Sequence, residues 1–376
     1  MAPPRNVGEP SLVLDQNALK YNIERISCFL NGKKIRIATK SIRSLEMLKF
    51  IQNKLGEHYK GLMAYSLKEA IWLAENGFKD ILIGYPQFDN NSLEKINSST
   101  SLKSIITLMI DSSLHLDLLS AYRELRICID LDMSLRLPIL NFGVFRSSLK
   151  KVNELKFLSK EINRSPHHLV GLMGYEAQIA GVSDQFGLLT PLIKILKNLS
   201  KKKILSFRAE AKSIIGNLEF FNGGGTGSLF FTNEDDSIDE LTIGSGFYCP
   251  TLFDGYDDLN LSPAIFFSLP VTRHPENYVV TCLGGGYVAS GSVGIDKIPT
   301  PIYPAGLSLI TNEMCGEVQT PLKSEKKLSL KIGDQVLFRP AKSGEICERF
   351  ESIHAIDKNG ESREFKTYRG DGKCFF

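Results

Sequence analysis

Between residues 35 and 244, short apolar runs of five to seven residues alternate with longer stretches in which apolar positions recur every three or four residues. The short runs are IRIAT (35–39), GLMAY (61–65), DILIGY (80–85), SIITLMI (104–110), LRICIDL (125–131), HLVGLMG (168–174), LEFFN (218–222) and ELTIG (240–244). Their length and branched apolar content predict buried strands. The intervening segments SLEMLKFIQNKL, SLKEAIWLAENGF, SSLHLDLLSAYREL and FGLLTPLIKILKNLSKKK predict amphipathic helices. Several begin at Ser or Asp, which cap free N–H groups, and Gly77 stands where a left-handed C-cap belongs. Strand and helix alternate, which favours a parallel sheet. Eight such units suit a closed (β/α)8 barrel of the TIM type, with a doubly wound open sheet as the alternative.

From about residue 256 the rhythm changes to short β-rich runs with many turn residues, in LSPAIFFSLPVTRHPENYVVTCLGGGYVASGS, LSLKIGDQVLFRP and the tail. This predicts a barrel over 1–255 and a mostly β C-terminal domain over 256–376. The early strand SLVLD (11–15) is a candidate to pack with that second domain.

A barrel carries its chemistry at the C-terminal ends of its strands, with phosphate often held after strands 7 and 8. Strand 7 runs directly into GGGTGS (223–228), and strand 8 ends in GSGFY (244–248). Glycine lets a phosphate approach bare backbone N–H groups, and Thr226 and Ser228 add hydroxyls. Strand 1 ends at Lys40, which the closed barrel brings beside strand 8. A lysine next to a phosphate cradle suggests covalently held pyridoxal 5'-phosphate, with the lysine forming the Schiff base.

Composition narrows the rest. At 376 residues the chain exceeds one ordinary domain, and 43% hydrophobic with 23% charged residues describes a globular protein. Net charge is +3 with dispersed basic residues, so nucleic acid is a poor partner. No apolar run is long enough to span a bilayer, and MAPPRNVGEP lacks the apolar core of a secretory signal. Seven cysteines without a CxxC pair argue against a disulfide framework or structural zinc. The expectation is a cytoplasmic protein.

The chain resembles the fold-type III pyridoxal-phosphate enzymes, the alanine racemase-like group that includes D-threonine aldolases and D-serine dehydratases. Within the group it is most similar to proteins described as amino acid deaminase/aldolase. The resemblance runs through RIATKSIR (36–43), ENGFKDILIGYP (75–86), GLMGYEAQIAGVSD (171–184), FNGGGTGS (221–228), GSGFYCPTLFDGY (244–256), GGGYVASG (284–291), GEVQTPL (316–322), AKSGEICERF (341–350) and TYRGDGK (367–373).

It implies that Lys40 is the Schiff-base lysine. Gly223, Gly224, Gly225 and Thr226 would hold the phosphate, with Gly244, Ser245 and Tyr248 from the next loop. Arg136 would approach the cofactor ring, with Arg146 competing for that role. Tyr175 would be an acid or base and Gln178 its polar neighbour. Cys249 and Cys347 read as packing residues.

One departure stands out. Metal-dependent members of the group carry a His-x-Cys or His-x-Asp pair in the β domain, whereas the matching stretch here is Arg339-Pro340-Ala341-Lys342. Proline has no ligating side chain and an ammonium repels a cation. His115 and Asp117 lie two apart on a predicted helix and diverge. Cys347 and His354 are too few to hold zinc. The reading is therefore no metal, with Lys342 as a fixed positive charge for a substrate hydroxyl or carboxylate.

The resemblance implies a pyridoxal-phosphate-dependent lyase, of aldolase or dehydratase/deaminase type, acting on a small, β-hydroxylated D-amino acid. The alternatives are an amino-acid racemase, which would need an acid/base group opposite Lys40, for which the second domain offers tyrosines such as Tyr287 and Tyr303, and a non-catalytic cofactor carrier. It also implies a homodimer in which the partner's β domain completes each site.

Overall fold

A computed structural model describes residues 8–292 and 294–375; the proline-rich start through Val7 lies outside them. Eight parallel strands close into a ring. In chain order they are Lys34–Ala38, Tyr59–Ala64, Ile81–Ile83, Ile106–Ile110, Arg126–Asp130, His168–Gly174, Phe220–Gly223 and Glu240–Ile243, called strands 1 to 8 below. Strand 8 pairs with strand 1 through Glu240↔Lys34 to Ile243↔Ile37. That pairing makes the structure a barrel rather than an open sheet.

Ser44 and Ser66 cap the helices Leu45–Leu55 and Leu67–Glu75 by accepting from Met47 and Glu69 N–H groups, as the sequence suggests. Two helices differ from the sequence pattern. The one expected over 112–125 stops after Ser113–Leu118, and the chain turns into strand 5 through Glu124 at φ 58°. The one expected over 186–203 starts at Thr190, with Pro191 in its first turn, and continues to Ile215. A small hairpin, Leu135–Leu137 with Leu140–Phe142, follows strand 5 without a clear sequence signal.

The second unit is a mostly β sheet built around Ile265–Glu276. Ser11–Asp15 lies inside it, antiparallel to Ile265–Glu276 and parallel to Ser352–Ile356. Leu12 and Leu14 are fully buried there, so the chain enters through the β domain before building the barrel. Phe267 and Phe338 stack at 5.1 Å between ring centroids in its core.

The two units meet at the end of strand 1. Thr251 N–H donates to Pro340 O at 3.1 Å, and Tyr368 N–H donates to Arg43 O at 2.8 Å. The Ser44 hydroxyl donates to Lys366 O at 2.6 Å. Gly344 packs so tightly on the Lys40 carbonyl that a Cβ would come within 2.1 Å of it.

Candidate active site

A cavity of about 520 Å³ opens at the C-terminal end of the barrel, within the size range of small-molecule sites. Its wall includes Lys40, Tyr85, Arg146, Tyr175, Gly224, Gly225, Thr226, Gly244, Ser245 and, from the second domain, Lys342. Nine of the positions singled out from sequence therefore line one space: Lys40, Arg146, Tyr175, Gly224, Gly225, Thr226, Gly244, Ser245 and Lys342.

Strand geometry explains the gathering. Lys40 sits in the 3-10 turn Thr39–Ser41 that ends strand 1. Its Nζ lies 2.8 Å from the Tyr85 hydroxyl, which follows strand 3. Tyr175 follows strand 6, half-buried, with the Arg146 guanidinium 5.5 Å from its ring centroid. Burial pushes the Tyr175 phenol up to about 12, against the opposing pull of Arg146, so it holds its proton at neutral pH.

Two glycine loops close the opposite part. Gly224 has φ 93°, a left-handed conformation that glycine adopts without strain. Gly225 leads into the 3-10 turn Thr226–Ser228. Its neighbour loop is clamped by the Gly246 N–H, which donates to the Thr226 hydroxyl at 2.9 Å. Beneath them lies a buried ionic scaffold. Glu176 accepts from the Gly224 N–H at 3.2 Å and pairs with Arg208, itself 3.1 Å from Asp235. Inside the barrel, Arg36 bridges Glu240 at 2.6 Å and Asp80 at 2.8 Å. Asn222 then links Glu240 to Thr242, both Asn222 and Thr242 reaching the cavity floor.

Other sequence candidates stand outside the cavity wall. Arg136 lies on the hairpin, where Asp132 four residues earlier takes its guanidinium at 2.7 Å. Gln178 is buried and donates to Met133 O at 2.7 Å. Gly223 ends strand 7 against Arg208, Ile238 and Thr232. Tyr248 is fully buried, and its carbonyl accepts from Ala264 and Ile265 where the chain passes into the second domain. Cys249 and Cys347 are core residues whose thiols burial pushes up to about 11 and about 12.

Tyr85, Asn222, Arg43 and Lys297 also line the space and were not singled out from sequence. Tyr85 closes the run DILIGY, so its place at a strand end was available as a signal. Lys297 comes from a turn whose position no local pattern gives.

In the stretch Arg339–Lys342 both basic side chains are engaged within the protein. Arg339 pairs with Asp254 at 2.6 Å and donates to Cys249 O at 3.0 Å. Lys342 Nζ donates to Ser290 O at 2.6 Å. Among the described residues, no group of three or more His, Cys, Asp or Glu is placed to hold a metal ion. No helix among them is long and apolar enough to cross a membrane.

Comparison with known proteins adds three findings. The family profile described as alanine racemase, N-terminal domain, matches residues 14–220. A 3-hydroxy-D-aspartate aldolase of Paracoccus denitrificans (strain Pd 1222) is 24% identical over 251 residues, 63% of this chain and 59% of that protein. The matched part thus spans less than two thirds of the relative's length.

Among solved structures, D-threonine aldolase from Filomicrobium marinum superposes with a TM-score of 0.80 over 100% of both chains at 18% identity. D-threo-3-hydroxyaspartate dehydratase from Delftia sp. HT23 gives 0.77 over 96% of this chain and 98% of that one, at 14% identity. At such identities the likeness is one of fold.

Proposed function

Because the chain belongs to the alanine racemase N-terminal domain family, we propose that it is a pyridoxal-phosphate-dependent lyase acting on a small β-hydroxylated D-amino acid. One observation carries the reading: Lys40 opens into the same cavity as the glycine loops after strands 7 and 8. The names of the relatives, two aldolases and a dehydratase, support a lyase over a racemase.

The residues fit the cofactor. At Gly225 a Cβ would lie 2.9 Å from the Ala180 Cβ, and at Gly244 it would lie 2.8 Å from the Ala38 Cβ. Packing thus excludes a side chain at both positions, and both loops line the cavity, where bare backbone suits a phosphate. Gly224, Gly225, Thr226, Gly244 and Ser245 would hold the phosphate and Lys40 the aldehyde carbon, with Arg146, over the Tyr175 ring, facing the substrate carboxylate.

Bound there, pyridoxal phosphate supplies the electron sink for the pair left at the substrate α-carbon. The protein supplies positions and protons. The Lys40 amine, when free, would act as a base at Nζ, and the Tyr85 hydroxyl 2.8 Å away orients it. Tyr175 keeps its phenolic proton and acts as a donor to the leaving or returning group. The side chain of Lys342 presents a positive charge from the second domain.

We also infer a homodimer in a cytoplasmic setting. The segment leading into Arg146 carries Ile139 at 100% and Phe145 at 82% exposure, apolar surface that a second chain would cover. Sedimentation of the holoprotein tests the dimer.

The decisive experiment is borohydride reduction followed by peptide mapping. The expected result is a pyridoxyl adduct on Lys40, with unreduced holoprotein releasing glycine or a 2-oxo acid from D-β-hydroxy amino acids in a parallel assay. An adduct elsewhere, or none, overturns the reading.

A further inference from the structure

Lysines crowd one side of the cavity. Lys40, Lys297 and Lys342 all line it, and so does Arg146. Lys297 and Lys342 converge on Gly291. A Cβ built there would lie 3.1 Å from Lys297 Cε and 3.8 Å from Lys342 Nζ. Burial lowers the Lys342 pKa, Lys297 and Lys40 push it the same way, and Glu345 and Asp296 oppose them.

Charge matching across the wall is incomplete. Arg43 is balanced by Glu348 at 2.6 Å, and Lys297 by the adjacent Asp296. Glu345, the carboxylate of the wall, accepts from the Ser290 N–H at 2.8 Å. The hydrogen-bond partners of Lys342 are the neutral Ser290 carbonyl at 2.6 Å and hydroxyl at 3.4 Å. A half-buried ammonium with two lysines and the Glu345 carboxylate near it is stabilised by an incoming anion more than an exposed one would be.

The lysine wall and the phosphate cradle come from different parts of the molecule. Ser290, Gly291, Lys297 and Lys342 belong to the second domain, whereas Gly224–Thr226 and Gly244–Ser245 end barrel strands. The cofactor phosphate is provided for without the lysines. An amino-acid substrate brings one carboxylate, for which Arg146 is available at the same cavity. A second cation site remains.

We propose that Lys342, with Lys297 beside it, receives a second carboxylate carried on the substrate side chain, so that the preferred substrate is a β-hydroxy amino acid with an acidic side chain. This rests on the lyase reading above. A methyl in that position, as in threonine, leaves the ammonium with its neutral partners. A carboxylate forms charge-assisted hydrogen bonds to it and relieves the repulsion among the lysines.

The test separates the inference from the reading it rests on. Holoprotein is titrated calorimetrically with D-malate and D-lactate, which differ by one carboxylate and cannot be turned over by amine chemistry. D-Malate is expected to bind roughly 10- to 100-fold more tightly, the worth of one charge-assisted hydrogen bond. Lys342→Met abolishes that preference, and Lys342→Arg restores part of it. Equal binding of both acids, binding of neither, or a preference that survives Lys342→Met overturns the proposal, even if D-threonine is cleaved. In parallel, the ratio of kcat/KM for 3-hydroxy-D-aspartate over D-threonine should fall by a similar factor in Lys342→Met. A malate preference without turnover of any amino acid supports this anion site and sinks the lyase reading instead.

Discussion

At Gly225 an added methyl group would lie 2.9 Å from the Ala180 Cβ and 3.1 Å from the Tyr175 ring, on the wall assigned to phosphate. Neither neighbour is the free end of a flexible chain, so the loop itself has to move. Gly225→Ala should cost about 1–3 kcal/mol of stability, the usual effect of overpacking. It should also weaken cofactor binding by at least tenfold, read by fluorescence titration of the apoprotein. Unchanged affinity would show that the phosphate sits elsewhere. The arginines show how far single residues are legible in sequence. Arg136 and Arg146 both follow strand 5, and their spacing does not choose between them. Asp132, four residues before Arg136, captures it on the hairpin at 2.7 Å, while Arg146 reaches the cavity beside Tyr175. The deciding contact is a hairpin that the apolar pattern does not announce. Tyr85 was legible only as the last residue of a strand-like run.

The strands themselves were legible because each is buried on both faces and reads as a continuous apolar run. Closure then fixes which ends are neighbours, and Lys40 meets the strand 7 and 8 loops as a consequence. What the pattern does not reveal is the buried polar scaffold. Glu176 follows Tyr175 directly, and nothing local says that it will hold the Gly224 N–H at 3.2 Å and pair with Arg208 on the long helix Thr190–Ile215. Both partners are fully buried. Arg208→Met would strand the Glu176 carboxylate, and breaking such a pair costs about 3–5 kcal/mol. Chemical denaturation should show that loss. Cofactor affinity should fall with it, because the Gly224 loop loses its anchor. A variant with wild-type stability would mean that the Thr232 hydroxyl and the Gly224 N–H already satisfy Glu176.

At the scale of the whole molecule, the second domain is fastened to the barrel beside Lys40, and a buried acid sits in that seam. Glu69, on the barrel helix Leu67–Glu75, accepts from the Tyr65 N–H at 2.8 Å and from the Tyr368 hydroxyl of the C-terminal tail at 2.8 Å. Burial pushes its carboxyl up to about 7, in spite of these bonds and the nearby Arg43, which favour the charged form. The sign follows from proton counts. Between its unfolded value of about 4.5 and about 7, the folded state holds a proton that the unfolded state has released. Stability contributed by this group is therefore fully present below the unfolded value and declines as pH rises to about 7, then levels off. The slope approaches about 1.4 kcal/mol per pH unit within that window. Glu69→Gln keeps an acceptor for Tyr368 and cannot ionise, so its stability should be flatter with pH. Denaturation midpoints of both proteins from pH 5 to pH 8 isolate the effect, because other titrating groups such as Asp130 cancel in the difference. Parallel curves would show that Glu69 is ionised throughout, and that the seam beside Lys40 is held by a charged rather than a neutral carboxyl.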